Sequence, residues 1–334
     1  MKKKTVTISD IATEAGVSKA TVSRVLSNSP KVKKESKEKI LKIMEKYSYV
    51  PNNMAQSLAG TPRMTIGIVI DELANFFFIE VADGIDKVIS HSGYSMQISS
   101  SRWDEENELR LVRQLISSRV DGIILAPVSE TSRSIALLKS SGIPFLLINV
   151  IPKQEDLAFV SCDNSAGGRL AGQFFNRMHR PCQILITGYP HQSISYRIQG
   201  FKETLEKPEE LIHYENINTY EQGYEIASVL LIKNRLASIK TALFVTNDNV
   251  AIGIITRLLE LGISIPEQVS VIGYDDIKLS TFCRIPLTTV SQGIKDIGKI
   301  AAMELLEMIE GSAEELPQHL IEPQIVMRQS AVIL

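Results

Sequence analysis

Short β-branched runs alternate with longer segments of helical periodicity from residue 64 onward, and this alternation constrains the fold more than any other feature. The first run, Met64–Ile70, precedes a helical pattern from Phe77 to about Ser92. Further strand candidates lie at residues 95–99, 122–126, 145–148, 159–162, 183–187, 242–246 and 269–273. Helical patterns separate most of them, around residues 106–118, 132–141, 165–178, 195–206, 222–234 and 249–261. The alternation predicts parallel, doubly wound α/β sheets covered by helices on both faces.

The first sixty residues have a different pattern, made of three short helices. Thr7 is a suitable N-cap for the first helix, Gly16 ends it, and Ser18 is the N-cap of the second. Apolar residues recur at helical spacing in all three: Ile8, Ile11, Ala12 and Ala15, then Val22, Val25 and Leu26, then Ile40, Ile43, Met44 and Tyr47. Two short helices joined around a glycine predict a helix-turn-helix, and the third helix closes a small all-α core.

Charge is divided unevenly between these two parts of the chain. Residues 1–60 contain 12 Lys and Arg against 5 Asp and Glu, a net charge of +7, whereas the remainder carries −9 and the whole chain −2. A basic segment attached to an acidic body indicates that the N-terminal part meets a polyanion while the body binds something else.

Several classes of protein are disfavoured by what the sequence contains. The longest apolar stretches fall far short of the ~18 residues that a membrane span needs, and the basic start of the chain leads into polar residues without an apolar signal core. We therefore expect a cytoplasmic protein with no membrane partner. Cys162, Cys182 and Cys283 are isolated, and the histidines form no paired-ligand pattern, so we expect no disulfide, metal or cofactor. Nucleotide-binding glycine loops and a nucleophile elbow are absent from the sequence, and we expect no catalytic residue.

Two N-terminal segments carry a family resemblance. The segment Val17–Leu26, Val-Ser-Lys-Ala-Thr-Val-Ser-Arg-Val-Leu, resembles the DNA-reading element of the LacI family of bacterial transcription regulators. The segment Tyr49–Gly60, which ends in Ala-Gln-Ser-Leu-Ala-Gly, is similar to that family's hinge. The body in turn resembles the periplasmic-binding-protein fold of the family's effector domain, so the resemblance covers essentially the entire chain.

The resemblance implies a domain organisation. A helix-turn-helix domain is expected at residues 1–50, a hinge helix and linker at 51–62, and an effector-binding and dimerisation domain at 63–334. The body is expected to comprise an N-subdomain of residues 63–163 and 292–322 and a C-subdomain of residues 164–291 and 323–334. The chain would cross between them near Asp163, Gln292 and Pro323.

Residues expected to contact DNA lie on the second helix and in the hinge. Lys19 and Arg24 are donors suited to guanine, and Ala20 is an apolar contact for a thymine methyl group. The remaining predicted DNA contacts are hydroxyl groups for phosphates or base edges and three hinge residues: Thr7, Ser18, Thr21, Ser23, Asn52, Ala55 and Leu58. By the resemblance, Leu58 inserts into the minor groove of DNA; alternatively the hinge is a flexible linker with Leu58 covering the body. Ser27 and Lys33 depart from the family's usual Asn and Ser.

Residues expected to contact an effector follow the strands of the body, because open α/β sheets bind ligands at the carboxyl ends of their strands. The predicted set is Asp71, Asn75, Phe76, Phe77, Ser100, Asn149, Arg197, Tyr220, Asn247, Asp248, Asp275 and Gln292. The resemblance gives Arg197 the role of clamping the effector, and Asp275 is the best acceptor for sugar hydroxyls. Alternatives stay open: Arg197 and Asp275 pair with each other, Asp248 caps a helix, and Phe76 and Phe77 belong to the core.

These features together predict a ligand-responsive, sequence-specific transcriptional regulator. We expect a repressor that acts as a homodimer on a pseudopalindromic operator, with a sugar or sugar derivative bound between the two body subdomains. The alternatives are a purine- or nucleoside-responsive corepressed regulator and a solute-binding protein for a sugar. The sequence leaves open whether the effector is an inducer or a corepressor.

Overall fold

The computed structural model describes residues 6–26, 31–47, 49 and 62–333. The chain divides into two compact units, Met1–Met64 and Thr65–Leu334. Most of the predicted hinge, including Asn52, Ala55 and Leu58, lies outside the described residues.

The first unit contains three helices: α1 (Ile8–Ala15), α2 (Lys19–Leu26) and α3 (Lys34–Lys46). Thr7 caps α1 reciprocally with Asp10, since each side chain accepts a hydrogen bond from the other residue's backbone N–H. Gly16, at φ +70°, ends the helix. Lys33 supplies no side-chain cap to α3. The apolar faces of the helices form one core of Ile11, Ala12, Ala15, Val22, Val25, Ile40, Ile43 and Met44.

The strands of the second unit are short and mostly buried. They are β1 (Thr65–Ile70), β2 (Ser95–Ser100), β3 (Gly122–Leu125), β4 (Phe145–Ile148), β5 (Phe159–Cys162), β6 (Cys182–Ile186), β7 (Ile212–Tyr214), β8 (Thr241–Val245), β9 (Val269–Asp275), β10 (Thr288–Ser291), β11 (Gln318–Ile321) and β12 (Gln324–Val326).

Helices follow most of these strands. They are α4 (Phe76–Ile89), α5 (Glu105–Ser117), α6 (Arg133–Ser141), α7 (Asn164–Arg177), α8 (Gln192–Thr204), α9 (Tyr220–Lys233), α10 (Asp248–Glu260), α11 (Leu279–Phe282) and α12 (Ile294–Glu310). Within the ranges that the structure describes, no helix is long and apolar enough to cross a membrane.

Two six-stranded sheets organise the second unit. The N-subdomain sheet has the order β11-β5-β4-β3-β1-β2, and the C-subdomain sheet has the order β12-β10-β9-β8-β6-β7. Every strand pair is parallel except β10 with β12. The fold class predicted from the β–α alternation is therefore confirmed. The chain passes between the sheets after Cys162, after Ser291 and between Ile321 and Gln324.

Neighbouring helices in both subdomains pack through glycine. At Gly200 on α8, Gly253 on α10 and Gly298 on α12, an added Cβ atom would lie 2.0–2.2 Å from a backbone carbonyl oxygen of the partner helix. Only a residue without a side chain allows these backbones to approach so closely. The helices of the α7–α8 pair and of the α9–α10 pair are therefore closely packed. The first residue of each of these four helices lies at the carboxyl edge of the C-subdomain sheet.

Replacement of Gly200 tests this packing. We expect Gly200→Ala to lower the free energy of unfolding by about 1–3 kcal/mol, because its methyl group would meet the Ser165 carbonyl oxygen at 2.0 Å. Gln199→Ala, on the exposed face of the same helix, is the matched control and should change stability by about 0.5 kcal/mol or less. Urea denaturation of both variants measures the difference. Equal stabilities would contradict the close approach of α7 and α8.

Candidate DNA-reading helix and interlobe cleft

The α2 helix buries one face and exposes the other. Val22 and Val25 enter the core of the first unit, whereas Lys19, Ala20 and Arg24 are exposed on the opposite side. These three exposed residues are the ones that the sequence predicts to meet DNA bases.

The predicted hydroxyl contacts have partners within their own helices. Ser18 accepts a hydrogen bond from the Thr21 backbone N–H at 3.1 Å, and the two hydroxyl oxygens are 2.9 Å apart. The Thr7 hydroxyl donates to Asp10 at 2.7 Å. Ser23 is partly exposed. Ser18 and Thr7 therefore also serve as helix caps, which fixes the start of α2 and the start of α1.

Arg197 lies at the centre of a buried network in the body. Its Nε donates to Asn164 Oδ1 at 2.8 Å and its Nη1 donates to the Thr246 carbonyl oxygen at 2.6 Å. Nη1 is also 3.4 Å from Asp275 Oδ1. The guanidinium carbon sits 3.8 Å from the centre of the Tyr274 ring. The pairing of Arg197 with Asp275, one of the alternatives from the sequence, is therefore present.

Asp275 is the last residue of β9, and it contacts both Arg197 and Gln292, which lies where the chain passes between the subdomains for the second time. Gln292, which follows β10, donates from Nε2 to Asp275 Oδ1 at 2.6 Å. Burial raises the pKa of Asp275 to about 6, although Arg197 and Gln292 both favour the ionised form. Its φ of +123° is a backbone conformation that few residues other than glycine adopt.

Asn247 and Asp248 have separate structural partners. Asn247 is the N-cap of α10, since its Oδ1 accepts from the Val250 N–H at 2.8 Å. Asp248 is fully buried, and its two oxygens accept from the Ile277 N–H at 3.0 Å and the Thr289 hydroxyl at 2.7 Å. Burial, and then the nearby Asp275 carboxylate, raise the pKa of Asp248 well above its ordinary range. Asp248 therefore holds the loop after β9 rather than capping a helix.

Two cavities lie between the subdomains. The larger one, about 960 Å³, is lined by Glu72, Leu73, Ala74, Ser100, Arg102, Trp103, Val128, Tyr189 and Pro190. The smaller one, about 390 Å³, is lined by Glu72, Ala74, Asn75, Phe76, Asn218, Thr219, Tyr220, Glu221, Asn249, Ile252 and Leu279. Glu72 and Ala74 border both, so the two cavities meet along the loop after β1. We call this combined space the interlobe cleft.

The predicted effector residues fall into two groups. Four line the interlobe cleft: Asn75, Phe76, Ser100 and Tyr220. Eight lie outside its lining and are at most 9% exposed: Asp71, Phe77, Asn149, Arg197, Asn247, Asp248, Asp275 and Gln292. Phe76 is 42% exposed, whereas Phe77 packs edge-on against Phe78 at 5.0 Å in the core. The adjacent phenylalanines therefore differ in environment.

Amide side chains connect the two subdomains across the cleft. Asn218 Nδ2 donates to Glu72 at 3.3 Å, and Asn249 Nδ2 donates to Asn75 Oδ1 at 2.9 Å. Gln192 makes two further bonds, to the N–H and the carbonyl oxygen of Ile151, at 2.7 and 2.9 Å. In each of these hydrogen bonds at most one partner is charged. Each one is therefore individually weak and contributes about 1 kcal/mol to the free energy that holds the subdomains together.

An aromatic contact also crosses between the subdomains, and sequence reasoning missed it. The Trp103 ring lies edge-to-face with Tyr189 and His191, 5.9 Å between centroids in both pairs. His191 accepts at Nδ1 from the Ser193 N–H, and its Nε2 lies 3.3 Å from the Pro127 carbonyl oxygen. Burial lowers the pKa of His191 to about 4, so the ring is neutral at pH 7 and Nε2 is the protonated donor. Trp103 follows β2 and Tyr189 follows β6. The rule that ligands bind at the carboxyl ends of strands would therefore have identified both residues.

The described residues contain no cluster of three or more His, Cys, Asp or Glu side chains that would hold a metal ion. Asp276, next to Asp275, instead accepts a hydrogen bond from Arg328 at 2.6 Å.

Comparison with known proteins agrees with this architecture. The family of bacterial regulatory proteins named lacI matches residues 7–52, and a periplasmic binding protein-like domain matches residues 171–331. Catabolite control protein A of Priestia megaterium is 32% identical over 329 residues, which cover 95% of this chain and 98% of that protein. The chain belongs to the LacI family. It is a DNA-binding transcriptional regulator, as the sequence predicted.

Other LacI-family proteins are similar over comparable lengths. The HTH-type transcriptional repressor PurR of Vibrio vulnificus (strain CMCP6) is 31% identical, with 97% of this chain and 98% of that protein covered. The lac repressor dimer bound to operator and the anti-inducer ONPF has a TM-score of 0.80 at 26% identity, covering 98% of this chain and 99% of that one. A LacI family regulator from Enterococcus faecium with bound ribose has a TM-score of 0.71 at 27% identity, covering 81% and 99%.

The raised pKa of Asp275 generates a prediction for this LacI-family body. The folded chain keeps the Asp275 proton up to about pH 6, whereas the unfolded chain loses it near the ordinary value of 3.8. The folded state therefore binds more protons between these values, and the stability that Asp275 contributes is lost as pH rises from about 4 to about 6. The difference in unfolding free energy between wild type and Asp275→Asn should fall across this interval and level off above it. Urea denaturation at several pH values measures it; a constant difference would contradict the shift.

Proposed function

We propose that this LacI-family protein is a cytoplasmic, ligand-responsive repressor that binds a pseudopalindromic operator as a homodimer. One observation carries the DNA-binding part, namely the exposed row of Lys19, Ala20 and Arg24 on a helix whose other face is buried. The lac repressor dimer bound to operator, similar over nearly the whole chain, supports a dimer. A single helix-turn-helix covers too little DNA for high specificity, which also favours two copies.

The proposed DNA contacts follow from the chemistry of each side chain. Arg24 forms a bidentate pair with guanine, Lys19 donates to guanine, and Ala20 packs on a thymine methyl group. Hydroxyl groups position the helix on the phosphates: Thr7, Ser18, Thr21 and Ser23. In the hinge, Leu58 enters the minor groove, with Ala55 and Asn52 beside it.

We propose a neutral sugar, or a closely related polyol, as the effector in the interlobe cleft. The cleft combines exposed aromatic rings with amide and carboxylate groups, which suits a ring that has apolar faces and polar edges. The proposed contacts from its lining are Asn75, Phe76, Ser100 and Tyr220. Glu72 borders both cavities, whereas Arg102 lines only the larger one, so the part of the cleft that both cavities share carries a carboxylate and disfavours a phosphorylated ligand there. The similar Enterococcus faecium regulator has ribose bound.

The buried predicted residues have a supporting role in this proposal. Arg197 is already engaged through Nε and Nη1 with Asn164, Thr246 and Asp275, so a ligand would have to bind its Nη2 or replace one of these partners. Four of the other buried residues of the predicted set hold the strand ends through their hydrogen bonds: Asn247, Asp248, Asp275 and Gln292. The remaining three, Asp71, Phe77 and Asn149, are buried outside the cleft lining. Ligand binding would change the angle between the subdomains, and this change would reach the DNA-binding unit through the hinge.

A purine or nucleoside corepressor is the second candidate. The partly buried aromatic rings of Trp103 and Tyr189, which line the larger cavity, would stack on a base as well as on a sugar. The similar Vibrio vulnificus protein is the repressor PurR. A solute-binding protein is disfavoured by the helix-turn-helix unit. We further propose that the protein binds ligands without catalysing a reaction, because Asp275 and Asp276 are both held by arginine side chains.

Variants that lose DNA binding but keep ligand binding, or the reverse, test the proposed function. The operator is first identified by selecting duplexes that the protein binds from a random pool. The effector is identified by thermal-shift screening of sugars, sugar phosphates and purines. Arg24→Ala should weaken binding to the selected duplex by about 1–3 kcal/mol and relax base preference at one position per half-site, while ligand binding is unchanged. Phe76→Ala, which removes an exposed ring from the cleft lining, should keep duplex binding if the ligand is an inducer but lose the ligand response.

Arg110→Ala, an exposed arginine of the body, is the matched control and should change neither property. The proposal fails if the selected duplexes share no pseudopalindrome, or if Arg24→Ala weakens all sequences equally. Fluorescence anisotropy of labelled duplexes measures both outcomes.

A further inference from the structure

Trp103 occupies an unusual position in the interlobe cleft. It follows β2 in a loop that lines the larger cavity, and its ring reaches Tyr189 and His191 of the other subdomain. It is the only tryptophan in the chain. The side chain is therefore placed to contact a ligand and to sense the separation of the subdomains at once.

The backbone of this loop is strained. Arg102 and Trp103 have φ values of +57° and +60°, so two consecutive residues with large side chains adopt the left-handed conformation. Such strain persists only where the surroundings enforce it, and it is found preferentially at ligand clamps and active sites. The loop is held to the end of β1 by hydrogen bonds from Ser101 N–H to the Ile70 carbonyl oxygen and from Arg102 N–H to that of Asp71, both at 2.8 Å.

Polar groups without partners are concentrated in the same place. Among the described residues, six buried side-chain nitrogen or oxygen atoms lack a hydrogen-bond partner, and four of them belong to Asp71, Ser101 and Trp103. The four are both carboxyl oxygens of Asp71, Oγ of Ser101 and Nε1 of Trp103. Native proteins satisfy nearly all buried polar groups through protein, water or ligand partners, so this concentration indicates that a polar molecule, either water or a ligand, completes the site.

The chemistry of the unpartnered groups restricts that molecule. The indole N–H needs an acceptor, the Asp71 oxygens need a donor or carry a proton, and the Ser101 hydroxyl does either. A hydroxyl group is the simplest ligand group that both donates and accepts. The flat Trp103 ring in the same loop suits the apolar face of a sugar ring.

We propose that Trp103 is a specificity-determining residue that contacts a neutral sugar directly. Its ring packs on the sugar, and its Nε1–H donates to a ligand hydroxyl oxygen. Nε1 is buried in this structure, so the proposal requires the loop or the subdomains to move before a ligand reaches this atom. This inference rests on the proposed function, because it assumes that the cleft binds a sugar.

Fluorescence of the single tryptophan tests the inference in the full-length protein. The probes are ribose, glucose, galactose, sucrose, maltose and cellobiose, and thermal shift first identifies which of them stabilises the chain. That sugar should change the emission of Trp103 in the wild type. Trp103→Phe keeps an aromatic ring but lacks the N–H, and it should bind the same sugar about fivefold to tenfold more weakly. Trp103→Leu should bind it more weakly still.

Tyr214→Phe is the matched control, since it removes one hydroxyl from an aromatic residue on β7, outside the cleft lining. It should bind the sugar as the wild type does. A sugar that stabilises the protein, leaves Trp103 emission unchanged and binds Trp103→Phe with wild-type affinity overturns the role of Trp103 but leaves the proposed function intact. Stabilisation by none of the six sugars overturns the sugar effector and this inference together. If a variant does not fold, the wild-type emission decides.

Discussion

The buried Arg197 guanidinium is the interaction on which the rest of the body depends. A buried charge is stable only when it is paired and its hydrogen-bond donors are satisfied. Asn164, Thr246 and Asp275 supply acceptors, and the Tyr274 ring covers one face. These partners come from the start of α7, the end of β8 and the end of β9. Because the hydrogen-bond donors of Arg197 need these partners, the arginine holds the ends of β8 and β9 and the start of α7 in place at the carboxyl edge of the C-subdomain sheet.

The same network reaches two of the places where the chain passes between the subdomains. Asn164 begins α7 directly after the first crossing, and Gln292 lies at the second. By contrast, amides such as Asn218 and Asn249 join the two subdomains within the cleft. The buried Arg197–Asp275 ion pair thus lies near two of the crossings, and weaker amide contacts join the subdomains elsewhere. Such an arrangement suits a protein that transmits ligand binding as a change of angle.

Much of this architecture follows from local sequence patterns. The three helices of the first unit were predicted because Thr7, Gly16 and Ser18 mark their ends and their apolar spacing is regular. Most of the strands β1 to β6, β8 and β9 were predicted because buried parallel strands are continuous apolar runs, whereas the edge strand β2 alternates polar and apolar residues. The strands β7, β10, β11 and β12 were not predicted, since they are short and interrupted by polar residues. Helix α12 was also not predicted, although its buried residues, from Ile294 to Leu305, follow helical spacing.

The candidate site was less predictable, for reasons that lie in tertiary structure. The position of Asp248 depends on Thr289, which is 41 residues away along the chain, so no local pattern distinguishes capping from loop support. Asn75 and Phe76 line the cleft, but the next residue, Phe77, packs in the core because the helical repeat turns it away. Trp103 was missed because its contacts are with Tyr189 and His191, which lie far away along the chain and in the other subdomain.

A double-mutant cycle on Arg197 and Asp275 tests the central claim most directly. Urea denaturation at pH 7 gives the unfolding free energies of wild type, Arg197→Met, Asp275→Asn and the double variant. If the pair holds the strand ends together, the double variant should lose less unfolding free energy than the two single variants lose when their losses are added. We expect this difference, the coupling energy, to be about 1–3 kcal/mol. Losses that add to within about 0.3 kcal/mol would show that the two side chains act independently and would contradict the account.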